Sequence, residues 1–519
     1  MPGTITAKSP RAWPQAWLFL VPALGWLWLA ALLFAALLGY DVRRHHFESA
    51  GIAFGGGAAL FAIAGVRPRP VAPVQPHGLA VAIAVSAAVA LGAFAWTFGL
   101  GPLSDDFVLR RWAMAGEWMP EGWPHVRPLP LALWHVAFAS GGNWTALHVL
   151  NVVVHALNAG LVAALASGWL GQRAGLVAGV TFALFPASTE AVAWLAALFD
   201  VLATLCVLCA TLVWVRWAPS ARQAVALFCC SLAGVLTKEI AIAIPFLLAL
   251  TTLIGPAGVV PEWRRRMSVW AVTVAPTGGY VVWTAFLSPA VARHLDAFPA
   301  DRREWKDLLV RPFAALAVPI RTETGLPLEA YLVGVALLVL FAVLLVDILR
   351  ASRSNIAGSV QSSQSAVLLV GLGWVTLTTL PLLGQFYVSN TLQGGRYLYL
   401  PAVGFAVLLS AALVGPVRRS AVAGAAFLLL FGLYIGVLRH ERTVWRQAAA
   451  LRDAVLTQAA AAIQSGACRG IEVADAPDSF QGAFVFREGL TEALSSLDYD
   501  RAGVPCHLRW DGTTLQPNR

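Results

Sequence analysis

"HVLNVVVHALNAGLVAALA", residues 148–166, carries no charged side chain, and its only strongly polar groups are His148, Asn151, His155 and Asn158. Their spacings of three, four and three put all four on one face of an α-helix. The remaining positions are Val, Leu, Ala and Gly, which suit lipid or other apolar helices. The apolar run 145–168 is long enough to cross about 30 Å of hydrocarbon. Backbone groups in lipid must be paired within the segment, so the run reads as a spanning helix. A line of polar groups inside it predicts a polar seam between helices or a site.

The same reading extends along the chain. Of 519 residues, 58% are hydrophobic and 12% charged, a composition that excludes an ordinary soluble globular protein. Apolar segments recur near 17–39, 51–66, 79–97, 145–168, 174–187, 195–217, 223–237, 240–255, 268–287, 330–349, 366–384, 397–414 and 420–438. The expected architecture is an all-α polytopic membrane protein of about thirteen transmembrane helices. The runs 51–66, 174–187 and 223–237 are short for straight spans and read as tilted or re-entrant. The first run lacks a small-residue cleavage site and reads as a retained helix.

Alternating the loops from a cytoplasmic N-terminus places Arg67, Arg69, Arg173, Arg216, Arg222, Arg264, Arg265, Arg266, Arg350, Arg353, Arg418 and Arg419 inside, as the positive-inside rule requires. Arg43 and Arg44 fall on the other side. Of the 27 acids only Glu262 and Asp347 are then cytoplasmic. The expectation is a multi-pass protein of a bacterial inner membrane with a periplasmic C-terminus. The net charge of +9 is spread over many loops, which fits topology and lipid headgroups and not nucleic acid.

Three stretches divide the chain. Residues 1–78 form an extra N-terminal helical hairpin, 79–440 the main membrane domain, and 441–519 a small external α/β domain. Within the large external loop 98–144, "WMPEGWPHVRPLP" is rich in Trp and Pro and predicts short interfacial helices. In the tail, "ERTVWRQAAALRDAVLTQAAAAIQ" predicts an amphipathic helix, and Cys468 and Cys506 lie where a disulfide would persist. Cys206, Cys209, Cys229 and Cys230 sit in apolar runs as small buried thiols.

Polar groups gather on the external side. "GPLSDDFVLRRW" places Asp105 and Asp106 just after an apolar run. Glu190 stands at a helix mouth, Asp200 inside the next helix, and Lys238 and Glu239 side by side between two helices. A mutual or networked salt bridge is the plain account of that last pair. Arg396 enters a helix beside Tyr397 and Tyr399, and its planar fork suits a phosphate or a carboxylate. His148 and Asn151 lie at the external end of their helix. No Walker loop, dinucleotide fingerprint or metal-ligand spacing is present, so no metal site or organic cofactor is expected.

In chain order, "PLSDDFVLRR", "VRPLPLALWHVAF", "HVLNVVVHALNAGLVAALA", "FPASTEAVAWLAAL", "LTKEIAIAIPFL" and "GRYLYLPAVGF" resemble the GT-C superfamily of polytopic glycosyltransferases. The likeness is to the protein O-mannosyltransferase-like branch that includes the tetratricopeptide-bearing transmembrane mannosyltransferases. It runs from about residue 98 to 440 and omits the repeats. The resemblance implies a GT-C-like membrane domain and a polyprenyl-phosphate-linked sugar donor bound on the outer face. It implies catalysis by the acidic motif, here Asp105 and Asp106, and a protein, lipid or glycan hydroxyl as acceptor. Arg396, Lys238, Glu239, Glu190, His148, Asn151 and Tyr397 are the expected substrate-binding residues. The family commonly carries an acid just before the arginine of the "RYLYLP" block, where this chain has Gly395. The alternative reading is a secondary transporter or lipid flippase, with Asp200 or His155 relaying protons. Against it, the polar groups collect at one face, and no internal repeat with paired broken helices is visible.

Overall fold

The computed structural model describes residues 76–120, 126–254, 263–283, 305–321, 328, 332–337, 360–379, 388–414, 421–465, 471–497 and 506–517. The spans expected near 17–39 and 51–66 lie outside the described residues, as do nearly all of the N-terminal hairpin and Cys468. Of the span expected near 330–349, only 332–337 is described, as helix.

The helices are α1 (Pro76–Phe94), α2 (Asp106–Ala115), α3 (Pro128–Ala139), α4 (Trp144–Leu170), α5 (Gln172–Ala183), α6 (Thr189–Ala193), α7 (Leu198–Arg216) and α8 (Ala221–Val235). They continue with α9 (Ile244–Ile254), α10 (Trp263–Val282), α11 (Trp305–Ala317), α12 (Val360–Thr379), α13 (Pro401–Val414) and α14 (Ala421–Gln464). The chain is mostly helical and a multi-pass membrane protein. α4, the helix of the opening stretch, packs against α1, α5 and α7. Small residues allow that approach. A Cβ added at Gly175 would lie 2.5 Å from the Ala163 carbonyl oxygen of α4, and one at Gly179 would lie 2.8 Å from the Ala163 Cβ.

Among the described residues four helices are long and apolar enough to cross a membrane: Pro76–Gly99, Trp144–Leu170, Leu195–Arg216 and Gly424–Gln464. The pair Gln172–Ala183 and Pro186–Ala193, bent by 51°, makes a fifth if counted as one span. Several other expected spans are shorter apolar helices, α8, α9 and α13 among them. Hydropathy registers apolar side chains and not chain breaks. Pro186 lacks a backbone N–H and cannot continue α5, and a 3-10 turn over Glu239–Ala243 precedes Pro245 at the start of α9. The first large loop carries two short helices, α2 and α3, as expected.

The last apolar run and the amphipathic helix of the tail are one 44-residue helix, α14. No Gly or Pro stands between Val437 and Gln464 to end it. After α14 come β1 (Ile471–Ala474), β2 (Ser479–Phe480), β3 (Ala483–Phe484), α15 (Leu490–Ser495), β4 (Cys506–Trp510) and β5 (Leu515–Pro517). β4 lies between β1 and β5, parallel to β1 with Ile471 opposite Cys506, and antiparallel to β5. β2 and β3 form a hairpin whose turn residues Gln481 and Gly482 have φ of 47° and 83°, the left-handed pair that a tight hairpin turn requires. Cys506 is disulfide-bonded.

This C-terminal unit packs on the loop that leads into α2. Leu100, Leu103 and Phe107 share one apolar cluster with Trp194, with Trp445 of α14 and with Phe484, Phe486 and Trp510. Phe107 stacks on Phe486 with ring centres 6.5 Å apart. The acidic motif is therefore covered by residues almost four hundred positions further along the chain.

Candidate active site

The site is built on the turn from Leu100 to Asp106. Gly101 and Ser104 have φ of 69° and 50°, and a non-glycine residue in that region persists only where its surroundings hold it. The surroundings are extensive. Arg452 of α14 donates to the carbonyls of Leu100 (2.8 Å) and Pro102 (2.6 Å). His148 Nε2 meets the Gly101 carbonyl at 3.1 Å, and the Trp194 indole N–H donates to Leu103 at 3.0 Å. The Ser104 N–H donates to the Val485 carbonyl (2.9 Å), and the Ser104 hydroxyl accepts from the Glu488 N–H (3.1 Å).

The two acids do different work. Asp106 is fully buried, and its oxygens accept from the backbone N–H groups of Leu103 and Ala196, each at 2.7 Å. It ties the turn to the start of α7. Asp105 caps α2, is partly exposed, and takes a hydrogen bond from the Ser104 hydroxyl at 3.0 Å. Burial raises its carboxyl above the ordinary aspartate range, while Ser104, Arg396 and Arg487 pull the other way. A raised carboxyl is a better proton acceptor and remains ionised near neutrality when cations stand by.

Arg396 is the central cation. It is ion-paired with Glu190 and donates to the Tyr397 hydroxyl at 2.8 Å. Its guanidinium lies over the rings of Trp194 (4.8 Å), Tyr397 (4.5 Å) and Phe484 (5.9 Å). The other oxygen of Glu190 accepts from the N–H groups of Gly394 (2.6 Å) and Gly395 (2.9 Å). The acid expected beside Arg396 in sequence is thus absent, and a carboxylate reaches the arginine from α6. Gly395 leaves room for this: a Cβ there would lie 2.8 Å from the Ala187 carbonyl oxygen.

Lys238 and Glu239 hold separate distant partners. Lys238 donates to both oxygens of Asp200, at 2.7 and 2.6 Å, and lies over the Tyr397 ring at 5.3 Å. Glu239 accepts a forked pair from Arg127, at 3.0 and 2.6 Å. Of the mutual and networked salt bridges, the networked one is present: two ion pairs, each joining a distant segment.

The polar face of α4 is a seam. Asn151 donates to the carbonyls of Ala191 (3.1 Å) and Val192 (3.0 Å), His155 Nε2 meets that of Ala183 (3.3 Å), and Asn158 donates to that of Val201 (2.9 Å). Those of Ala183, Ala191 and Val192 lie at or near the ends of α5 and α6, where carbonyls lack helical partners, and that of Val201 lies in the first turn of α7. Tyr399, fully buried, adds its hydroxyl to His155 (2.7 Å) and Asn158 (3.2 Å). His148 and Asn151 are likewise fully buried, and both bind backbone carbonyls, so they position the site's walls.

Trp194, Arg127, Phe484 and Arg452 escaped the sequence reading. Trp194 had a visible signal, an aromatic four residues after Glu190 within the "FPASTEAVAW" block. The others take their places from contacts over 80 positions or more. Among the described residues no group of three or more His, Cys, Asp or Glu side chains is placed to hold a metal ion.

No protein-family profile and no curated protein matches this chain. Solved structures do resemble it. A crystal structure of ArnT from Cupriavidus metallidurans bound to undecaprenyl phosphate superimposes with a TM-score of 0.48 at 15% identity, over 83% of this chain and 93% of that one. The Archaeoglobus fulgidus oligosaccharyltransferase in its apo form gives 0.44 at 15% identity, over 74% of this chain and 58% of that one. Archaeal oligosaccharyltransferase AglB from the same organism, in complex with an inhibitory peptide and a dolichol-phosphate, gives 0.40 with the same identity and coverage.

Proposed function

We propose that the chain is a membrane glycosyltransferase of the GT-C superfamily. It moves a sugar from a polyprenyl-phosphate-linked donor to a hydroxyl of a protein, lipid or glycan acceptor on the outer face of the cytoplasmic membrane. Undecaprenyl phosphate and dolichol phosphate, the lipids named with two of the solved structures above, are carriers of this class. The observation that carries the reading is the division between the two acids: Asp106 is consumed by backbone N–H groups, while Asp105, partly exposed, accepts from the Ser104 hydroxyl and lies near Arg396 and Arg487. Four of the blocks on which the family resemblance rests supply Asp105, Glu190, Lys238 and Arg396 to one neighbourhood.

The chemistry follows from those groups. Asp105 takes the proton of the acceptor hydroxyl as its oxygen bonds to the anomeric carbon of the donor sugar. The bond from that carbon to the phosphate oxygen breaks, and its electron pair leaves with the lipid phosphate. Arg396, oriented by Glu190 and packed between aromatic rings, meets the charge that develops on the phosphate. The order of the six blocks favours the O-mannosyltransferase-like branch, with mannose or another hexose as the sugar. Asp200 and His155, the proton-relay groups of the transporter alternative, are engaged by Lys238 and by Tyr399 and Ala183.

The test is incubation of the purified full chain with polyprenyl-phosphate hexoses and a hydroxyl acceptor. Release of free polyprenyl phosphate with sugar on the acceptor is expected. Intact donors, together with movement of a lipid or sugar across vesicles, would overturn the reading in favour of the transporter.

A further inference from the structure

The cations around the acid turn are unequal. Arg396 is held by Glu190, Lys238 by Asp200, Arg127 by Glu239, Arg321 by Glu441 and Arg111 by Glu492. Arg452 is occupied by Asp453 and by the carbonyls of Leu100 and Pro102. Each of these positive charges is matched or directed at backbone. Arg487 differs. It is exposed, and its guanidinium lies over the Phe484 ring at 5.5 Å. It comes from the loop after β3, which belongs to the C-terminal unit and not to the membrane bundle.

The position of Arg487 is fixed from both sides. Val485 accepts from the Ser104 N–H, and the Glu488 N–H donates to the Ser104 hydroxyl. Residues 486 and 487 are thereby pinned against the residue that precedes Asp105. Glycine is required at 489, where φ is 79° and a Cβ would lie 2.6 Å from the Ser104 carbonyl oxygen. On the other side Phe484 packs on Trp194 with ring centres 4.4 Å apart, and Arg396 lies over both rings. Arg487 and Arg396 thus share one aromatic wall beside Asp105.

We infer that Arg487 is an anion-binding residue of the site, contributed by the C-terminal unit, and that its ligand is the phosphate of the carrier lipid. The inference rests on the glycosyltransferase reading and extends it. A lipid phosphate leaving the sugar gains negative charge, and Arg396, Lys238 and Arg127 are each already paired with a carboxylate. An exposed guanidinium with no hydrogen-bonded carboxylate among the described residues adds positive charge there, beside the Asp105 and Glu488 carboxylates in its electrostatic reach. It also gives the C-terminal unit a chemical role: without it docked, the site lacks this arginine.

The experiment is equilibrium binding of a short-chain polyprenyl phosphate to the full-length protein in detergent, followed by tryptophan fluorescence. The uncharged polyprenol serves as the control ligand. Arg487→Ala is expected to weaken polyprenyl phosphate binding about tenfold, Arg487→Lys to recover part of it, and neither to change polyprenol binding. An unchanged thermal midpoint confirms that the exposed substitution leaves the fold intact. Equal affinity of wild type and Arg487→Ala for polyprenyl phosphate would overturn the inference. So would unchanged lipid binding with a raised KM for the acceptor, which would assign the arginine to an acceptor anion. If wild type itself fails to bind polyprenyl phosphate, the donor reading fails first and the inference falls with it.

Discussion

Asp106 accepts a hydrogen bond from the backbone N–H of Ala196 at 2.7 Å, across ninety residues of sequence. That single contact closes the acid turn onto the entry to α7, and the Leu103 N–H on the other oxygen closes the turn on itself. A buried carboxylate serving two backbone donors is structural. Its neighbour Asp105, one residue earlier, is the base of the proposed transfer.

Transfer should depend on pH through Asp105. Burial raises this carboxyl above its ordinary value, and a general base works only when ionised. Activity is therefore expected to rise as pH passes an apparent pKa higher than that of a free aspartate, and to be lost below it. Stability runs the other way. A carboxyl whose folded pKa is raised favours the folded state while protonated, and that contribution disappears as pH climbs through the folded value. Asp105→Asn should accordingly flatten the acidic limb of the rate profile and hold or raise the thermal midpoint near neutral pH. A midpoint that falls would contradict this.

Placing an acid at position 395 should fail here. Gly395→Asp places a Cβ 2.8 Å from the Ala187 carbonyl oxygen and a second carboxylate where Glu190 already binds Arg396. Strong loss of folded yield or of turnover is expected, measured by detergent-solubilised recovery and donor hydrolysis. Normal yield with normal turnover would show that the Glu190 arrangement is dispensable.

Cys506, at the start of β4 opposite Ile471 of β1, is disulfide-bonded. Cys506→Ser, or mild reduction, should cost about 2–4 kcal/mol in the unfolding of this unit. It should also make residues 478–489 more open to proteolysis, read by limited digestion. Unchanged digestion would separate the disulfide from the site.

Much of this was legible beforehand, for reasons particular residues make clear. The face of α4 was written in the three-four-three spacing of His148, Asn151, His155 and Asn158, because helix geometry is local. The acid turn showed itself as two carboxylates after an apolar run. The pairing of the charges was not visible. Lys238 and Glu239 are adjacent, yet each finds its partner 38 and 112 positions away. Nor was the split between Asp105 and Asp106, which depends on where the Ala196 N–H points. The helix breaks at Pro186 and before Pro245 were not visible either, because hydropathy registers apolar side chains and not chain breaks.

The most direct measurement compares Asp105→Asn and Asp106→Asn by sugar transfer and thermal unfolding together. Asp105→Asn is expected to fold normally and lose about 10²–10⁴-fold in turnover. Asp106→Asn turns an amide NH2 toward a buried N–H and should lose about 1–3 kcal/mol of stability, with turnover falling through misfolding. Full turnover in a folded Asp105→Asn protein, with the chemical loss in Asp106→Asn instead, would contradict the assignment of the base.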